Sequence, residues 1–313
     1  MISPAKSSNE GMYQDIASTA PTTPDGHSSS SPVLRAERQD NSSHYASPGH
    51  SPSSCQFADT SNNSTLLETR RSVRNICCVG AGYVGGPTAT VIAYHNPHIR
   101  VTVVDRDAQR IRQWNSRHLP IYEPSLREAE ISTSEECCGP TLYQQPKHSA
   151  KTTEVPARQP NLFFSVDAER CIAEADLVFI AVNTPTKSSG VGAGAATDMT
   201  AFEAVVCEIA RHARPGIIVV EKSTVPCRTA QLVQDMLAVH RPGVHFDILS
   251  NPEFLAAGTA MQDLLRPDRV LIGSSPTLSG RRAADALANV YAAWVPRARI
   301  IGTNVWSAEL AKV

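Results

Sequence analysis

Six residues, Gly80-Ala81-Gly82-Tyr83-Val84-Gly85, follow the apolar run "NICCV" and open an apolar stretch of helical texture. In a G-x-G-x-x-G turn between strand and helix, the first glycine permits the tight bend and the second lets the backbone approach a pyrophosphate. The third allows close packing of helix on strand. Asp105 stands 20 residues beyond Gly85, at the end of the next apolar run, where a carboxylate accepts hydrogen bonds from an adenosine ribose. This set predicts dinucleotide binding. Arg106 admits NADP as an alternative, since a cation there can meet a 2′-phosphate. The free carboxylate of Asp105 would repel that phosphate, so NAD is favoured.

Three more polar loops follow apolar runs: "AVNTPT" (181–186), "EKSTVP" (221–226) and "SNPEF" (250–254). Asn, Thr, Ser and Glu are ordinary turn formers. Placed at the carboxyl ends of successive strands of one sheet, however, they converge on the nicotinamide side of a bound dinucleotide and define a site for hydride transfer. Glu253 then has the chemistry of a general base or of a residue that positions a water, and Thr224 that of a group orienting the same water. Lys222 reads equally well as a strand-end cation without a role. The eight cysteines lack a C-x-x-C or Cys/His spacing that suits zinc and read as buried, reduced thiols. No metal is expected.

The elements that must hold these residues begin near residue 73. Runs such as "RVTVVD", "NLFFS", "DLVFIAV", "IIVVEKS", "FDILS", "RVLIG" and "ARIIG" lack in/out alternation, which is how strands covered on both faces of a parallel sheet read. Between them, "GGPTATVIAYHNP", "DAQRIRQWNS", "DAERCIAEA", "DMTAFEAVVCEIARHA", "TAQLVQDMLAVH" and "RRAADALANVYAAWV" carry 3.6-residue periodicity. Repeated strand-helix-strand units give an α/β domain with a doubly wound, Rossmann-type, mainly parallel sheet over residues 73–302. Residues 131–160 are polar and read as a loop insertion. Residues 1–72, rich in Ser, Pro, Asn and Thr, read as a disordered tail. Lys plus Arg number 29 against 30 Asp plus Glu without a basic stripe, which argues against nucleic acid as a partner. Neither a signal peptide nor a membrane span of ~18–20 apolar residues is present, and a soluble, cytosolic protein is expected.

With these residues in view, "ICCVGAGYVGGPTA", "LPIYEPSL", "ADLVFIAVNTPTK", "EKSTVPCRTA", "LSNPEFLAAGTAMQDLLRPDRVLIG" and "WSAELAK" together resemble the UDP-glucose/GDP-mannose dehydrogenase family, and within it UDP-glucose 6-dehydrogenase of the eukaryotic type. The likeness runs in register from about residue 75 to the last residue. It implies oxidation of the sugar 6-hydroxymethyl of UDP-glucose to a carboxylate in two hydride transfers to NAD, through a thioester on a cysteine. It also implies that Gly80 to Gly85, Asp105 and Arg110 hold the adenosine half of NAD. Val182, Asn183, Thr184, Pro185, Thr186, Ser223, Thr224 and Val225 would line the nicotinamide side. Thr224 and Glu253 would serve thioester hydrolysis, with Glu253 as acid/base; Glu253, Phe254, Leu255 and Lys312 would meet the sugar nucleotide. Lys312 falls on the family's lysine that stabilises the developing oxyanion. Glu123 in "YEP" falls near the cofactor. The resemblance further implies homo-oligomers.

The closing "NVWSAELAKV" starts a helix, capped by Asn304 or Ser307, with Trp306, Leu310 and Val313 on one face and no stop signal. By resemblance, residues 303–313 begin a long central helix, and the segments carrying the nucleophilic cysteine and the UDP-binding domain are missing. The chain on its own is therefore expected to bind NAD without completing the oxidation. Two other readings stand beside this one: a non-catalytic NAD-binding or interaction protein, and a dehydrogenase for another nucleotide sugar. Ala257 replaces the glutamate usual in the family's "LAEGTA".

Overall fold

The computed structural model describes residues 72–131, 133 and 159–312. The expected tail, save Ser72, and most of the expected insertion lie outside the described residues. Eight strands form one sheet in the order β3-β2-β1-β4-β5-β6-β7-β8. They are β1 (Asn75–Val79), β2 (Arg100–Val104), β3 (Leu162–Ser165), β4 (Leu177–Ile180), β5 (Ile218–Glu221), β6 (Asp247–Ser250), β7 (Val270–Ser274) and β8 (Ile300–Asn304). All neighbouring pairs are parallel except β6 with β7. Every apolar run read as a strand is one, and the doubly wound architecture is as the sequence led us to expect.

The reason those strands show no alternation is visible in the packing. Ile76, Cys78, Leu177, Phe179, Ile218 and Val220 face one apolar layer, and Cys77, Val178, Ile180 and Val219 face the other. The first layer is closed by α1 (Gly85–His95), α7 (Ala260–Leu265) and α8 (Leu278–Tyr291), the second by α4 (Ala168–Glu174), α5 (Thr200–His212) and α6 (Thr229–His240). Short helices α2 (Ala108–Trp114) and α3 (Leu126–Ile131) complete the first half. Neither α3 nor α7 was legible as a helix, because six residues give less than two turns of periodicity.

Register decides where the polar loops go. Val104, Val79 and Ile180 are aligned across β2, β1 and β4, and Glu221 and Ser250 continue the row on β5 and β6. The residues that follow, Asp105, Gly80, Ala181, Lys222 and Asn251, therefore emerge along one edge. The reversal at β7 is joined through Ser250 opposite Gly273, and β8 runs beside β7 with Asn304 opposite Ser274. β7 and β8 therefore run away from that edge, and α9 (Val305–Leu310), which follows β8, leads back towards it, where Lys312 meets Glu253. Gly273 makes the contact possible. A Cβ there would lie 2.6 Å from the Ala308 Cβ and 2.9 Å from the Val305 Cα.

Candidate active site

The glycine turn is held by neighbours on three sides. Gly80 has φ 112°, and a Cβ on it would stand 2.4 Å from the Ala181 carbonyl oxygen; one on Gly85 would stand 1.9 Å from the oxygen of Gly80. These two positions exclude a side chain because protein fills the space. Gly82 differs. A Cβ there would meet only Asn183 Oδ1, at 3.6 Å, so the fold itself does not demand a glycine. The opening lies just before α1, whose preceding residue, Val84, offers no side-chain cap to the helix amides. A glycine turn left open at Gly82 and leading into a helix N-terminus suits a pyrophosphate, so the residues present fit a dinucleotide.

Asp105 orders this turn. Its Oδ2 accepts the Ala81 N–H at 2.9 Å and Arg110 Nη1 at 3.0 Å, and its Oδ1 accepts the Asp107 N–H at 2.9 Å. A carboxylate has roughly four lone-pair directions, which leaves capacity for a ribose hydroxyl. Asp107 caps α2 through the Gln109 and Arg110 amides, and so aims Arg110 back at Asp105. Arg106 is exposed.

The next two loops are stitched together. Thr184 Oγ1 donates to the Thr224 carbonyl at 2.6 Å, and Ser223 Oγ donates to the Val182 carbonyl at 2.7 Å. Pro185 accepts the Asp198 N–H, and Thr186 bridges to Thr197, closing the far side of the first loop. Val225 is buried in the core, so the structure gives it a packing part. Thr224 is exposed and contacts Thr184.

On the third loop, Lys312 Nζ reaches Glu253 Oε1 at 2.9 Å, across 59 residues of sequence. The other carboxylate oxygen, Oε2, accepts the Leu255 N–H at 2.7 Å. Phe254 lies between two cations, Arg269 at 4.5 Å and Lys312 at 5.8 Å from its ring centre. The structure thus gathers Glu253, Phe254, Leu255 and Lys312 as one group.

Beneath this group sits Lys222, 3 % exposed, with Nζ 3.2 Å from Asn251 Oδ1. Burial pushes its pKa down to about 8, against the upward pull of Glu253. Asn251 Oδ1 also accepts the Tyr291 hydroxyl at 2.7 Å, and Asn251 Nδ2 donates to Leu271. Lys222 is therefore no loose strand-end cation; it joins a buried network under the site. Cys78 faces it, and burial pushes that thiol up to about 12.

Glu123 turns out to be an anchor. It accepts the Tyr83 hydroxyl, the Gly258 N–H at 2.8 Å and the Ala260 N–H at 3.1 Å. Burial raises its pKa, but these three donors outweigh burial and hold it below the usual carboxylate range. It ties the glycine turn to the start of α7, just past the exposed Ala257. Sequence reasoning passed over Asn251, Gly273 and Glu309. All three lay inside quoted stretches, Asn251 in "SNPEF", Gly273 at the end of "RVLIG" and Glu309 in "WSAELAK", but none carried a signal of its partner.

Such a sheet, with a glycine turn after β1, an acid after β2 and polar loops along the same edge, defines a dinucleotide-binding α/β domain. The sequence model of the UDP-glucose/GDP-mannose dehydrogenase family, NAD binding domain, matches residues 74–137 and 144–295. The chain belongs to that family, and its cofactor is NAD. It is 51 % identical over 238 residues to UDP-glucose 6-dehydrogenase 3 of Oryza sativa subsp. japonica, covering 76 % of this chain and 45 % of that protein. With UDP-glucose 6-dehydrogenase 1 of Arabidopsis thaliana it shares 50 % over 238 residues, covering 76 % and 44 %. The chain spans about half the length of the curated relatives it matches. Among solved structures, a UDP-glucose dehydrogenase from Pyrobaculum islandicum aligns with TM-score 0.59 and 29 % identity over 79 % of this chain and 50 % of that one. A GDP-mannose dehydrogenase from Pseudomonas aeruginosa aligns with TM-score 0.60 and 26 % identity over 76 % and 48 %. No helix among the described residues is long and apolar enough to cross a membrane.

Proposed function

We propose that this chain is the cofactor half of an NAD-dependent UDP-glucose 6-dehydrogenase, which oxidises UDP-glucose to UDP-glucuronate in two hydride transfers. The observation that carries it is the Glu253–Lys312 pair at 2.9 Å, on the same sheet edge as a glycine turn left open at Gly82. Bound NAD would supply the hydride acceptor. Gly80 to Gly85 would take its pyrophosphate, and Asp105, steadied by Arg110, its adenosine ribose. Val182 to Thr186 and Ser223 to Val225 would flank the nicotinamide. Phe254 and Leu255 help shape the floor on which the sugar would rest.

In this reading Glu253 moves the proton of the reacting hydroxyl and later activates the water for hydrolysis, aligned by Thr224. Lys312 stabilises the oxyanion developing at the sugar carbon, and its removal from an active enzyme would lower kcat by about 100-fold or more. The Lys312 ammonium also keeps Glu253 oriented before substrate arrives. Family membership supports homo-oligomerisation as part of the same proposal.

A thiolate is needed for the covalent step, and the three buried cysteines are poor candidates. Burial raises the pKa of Cys77, Cys78 and Cys171, so these thiols stay protonated. The test is a titration of the 313-residue chain with NAD, followed by stopped-flow measurement of NADH on adding UDP-glucose. Saturable NAD binding with no sustained NADH release is the expected outcome. Absence of NAD binding would overturn the cofactor site, and steady NADH production would overturn the assignment as a cofactor half.

A further inference from the structure

Two acids close to the site take no part in the chemistry above. Glu221 ends β5 and is 1 % exposed; Glu309 lies in α9 and is 2 % exposed. Glu221 is in register with Ile180 on β4 and Ser250 on β6, so neither flanking strand brings it a charge. Lys222, next in sequence, alternates to the opposite face, where it joins Asn251 and Cys78. Neither Glu221 oxygen receives a hydrogen bond from a donor among the described residues. An ionised carboxylate left so is too costly to keep in the interior, and the group retains its proton instead. Burial raises its pKa well above the ordinary carboxyl value, and the adjoining Glu309 raises it further. A neutral carboxylic acid has one O–H to give, and the acceptor beside it is Glu309.

Glu309 in turn caps another helix. Its Oε2 accepts the Arg228 N–H at 2.6 Å, and its Oε1 accepts the Ala230 N–H at 2.8 Å. These amides open α6, where Arg228 has φ 77° and caps nothing with its own side chain. Its guanidinium lies 5.9 Å from the Trp306 ring, so the second charge at this junction also bears on α9. Three residues beyond Glu309, Lys312 meets Glu253.

We propose that Glu221 is a positioning residue. As the neutral acid it donates its proton to Glu309, which fixes Glu309 on the first amides of α6 and thereby sets the turn of α9 that carries Lys312 to Glu253. The catalytic consequence rests on the roles proposed above for Lys312 and Glu253; the docking of α9 does not. Removal of the proton from Glu221 places two buried anions side by side and loosens the junction.

The test compares the full chain with Glu221→Gln and Glu221→Leu by hydrogen exchange and thermal unfolding. Gln keeps a neutral donor toward Glu309, whereas Leu fills the space without one. In Glu221→Leu, exchange at the Arg228 and Ala230 amides and along 305–312 should quicken about tenfold, as expected for losing one hydrogen bond to a charged acceptor. In Glu221→Gln it should match the parent at pH 5. A carboxyl whose folded pKa is raised contributes stability that is lost as pH rises toward that pKa. The Tm advantage of Glu221→Gln over the parent should therefore be near zero at pH 5 and grow to about 3 °C by pH 8. Parent-like exchange in Glu221→Leu, or a Gln effect that does not vary with pH, would overturn the proposal. If Glu221→Leu does not fold, the Gln pH series decides alone. Neither readout uses NAD or a sugar nucleotide, so a failure of the dehydrogenase reading shows separately in the NAD titration.

Discussion

The two ends of the sheet edge are built in opposite ways. Around the glycine turn, the residues that matter come from one β-α-β unit and the helix that follows it: Gly80 to Gly85, Asp105 and Arg110 lie within 31 residues, and Asp105 bonds Ala81 directly. At the reacting end, Glu253 and Lys312 are separated by 59 residues, and Glu309 by 81 from the Arg228 amide that it accepts. A local unit can place its ligand groups through backbone geometry alone. The distant pair depends on the β7 reversal, on Gly273 and on a buried carboxyl, so it should yield more readily to substitutions far from the chemistry.

The largest effect should come from inside the glycine turn, where one substitution separates packing from binding. Gly85→Ala forces a Cβ to within 1.9 Å of the Gly80 oxygen, and urea unfolding should show a loss of about 3 kcal/mol. Gly82→Ala has room in the protein, and its stability should change by less than about 0.5 kcal/mol. Its affinity for NAD, measured by calorimetry, should nonetheless fall about tenfold or more, because the added methyl occupies space left for the pyrophosphate. Equal affinities for Gly82→Ala and the parent would show that the opening is not the binding surface.

A second test sharpens the contrast at the reacting end. Lys222 has a folded pKa of about 8 against an ordinary 10.5, so above pH 8 the unfolded chain binds the proton that the folded chain has released. The buried thiols Cys77, Cys78 and Cys171, with raised pKa values, cost stability over the same window, so the Lys222 gain is read as a difference between parent and variant. Relative to Lys222→Met, the parent should gain about 2 kcal/mol between pH 8 and pH 9.5, and a difference that does not change with pH would contradict the burial of a titrating ammonium.

The smallest effect concerns the start of α9. Asn304 Oδ1 accepts the Ser307 N–H at 2.8 Å, and Asn304→Ala should cost about 1 kcal/mol of global stability. Exchange within 305–312 should quicken while the glycine turn is unaffected. Of the two capping residues that the sequence allowed, the structure selects Asn304. Trp306 and Leu310 are exposed at 60 % and 63 %, while Ala308 and Glu309 turn inward. The apolar pair is thus the outer face of this helix, and a glutamate is part of its inner one. No reading of polarity along the sequence would choose a glutamate for the inside, since its burial depends on two backbone donors belonging to another helix.

What the sequence determined by itself was everything whose cause is local: eight apolar strands, the longer periodic helices, the glycine turn with its acid, and the polar loops after β4, β5 and β6. Those features follow from side-chain periodicity and backbone freedom over a few residues at a time. The partnership of Lys312 with Glu253, the anchoring of Tyr83 and α7 by Glu123, the network around Lys222 and the burial of Glu221 against Glu309 were decided by tertiary structure. Each needs groups far apart in sequence to exclude water from one another, and a lone titratable residue bears no mark of the partner that will do so.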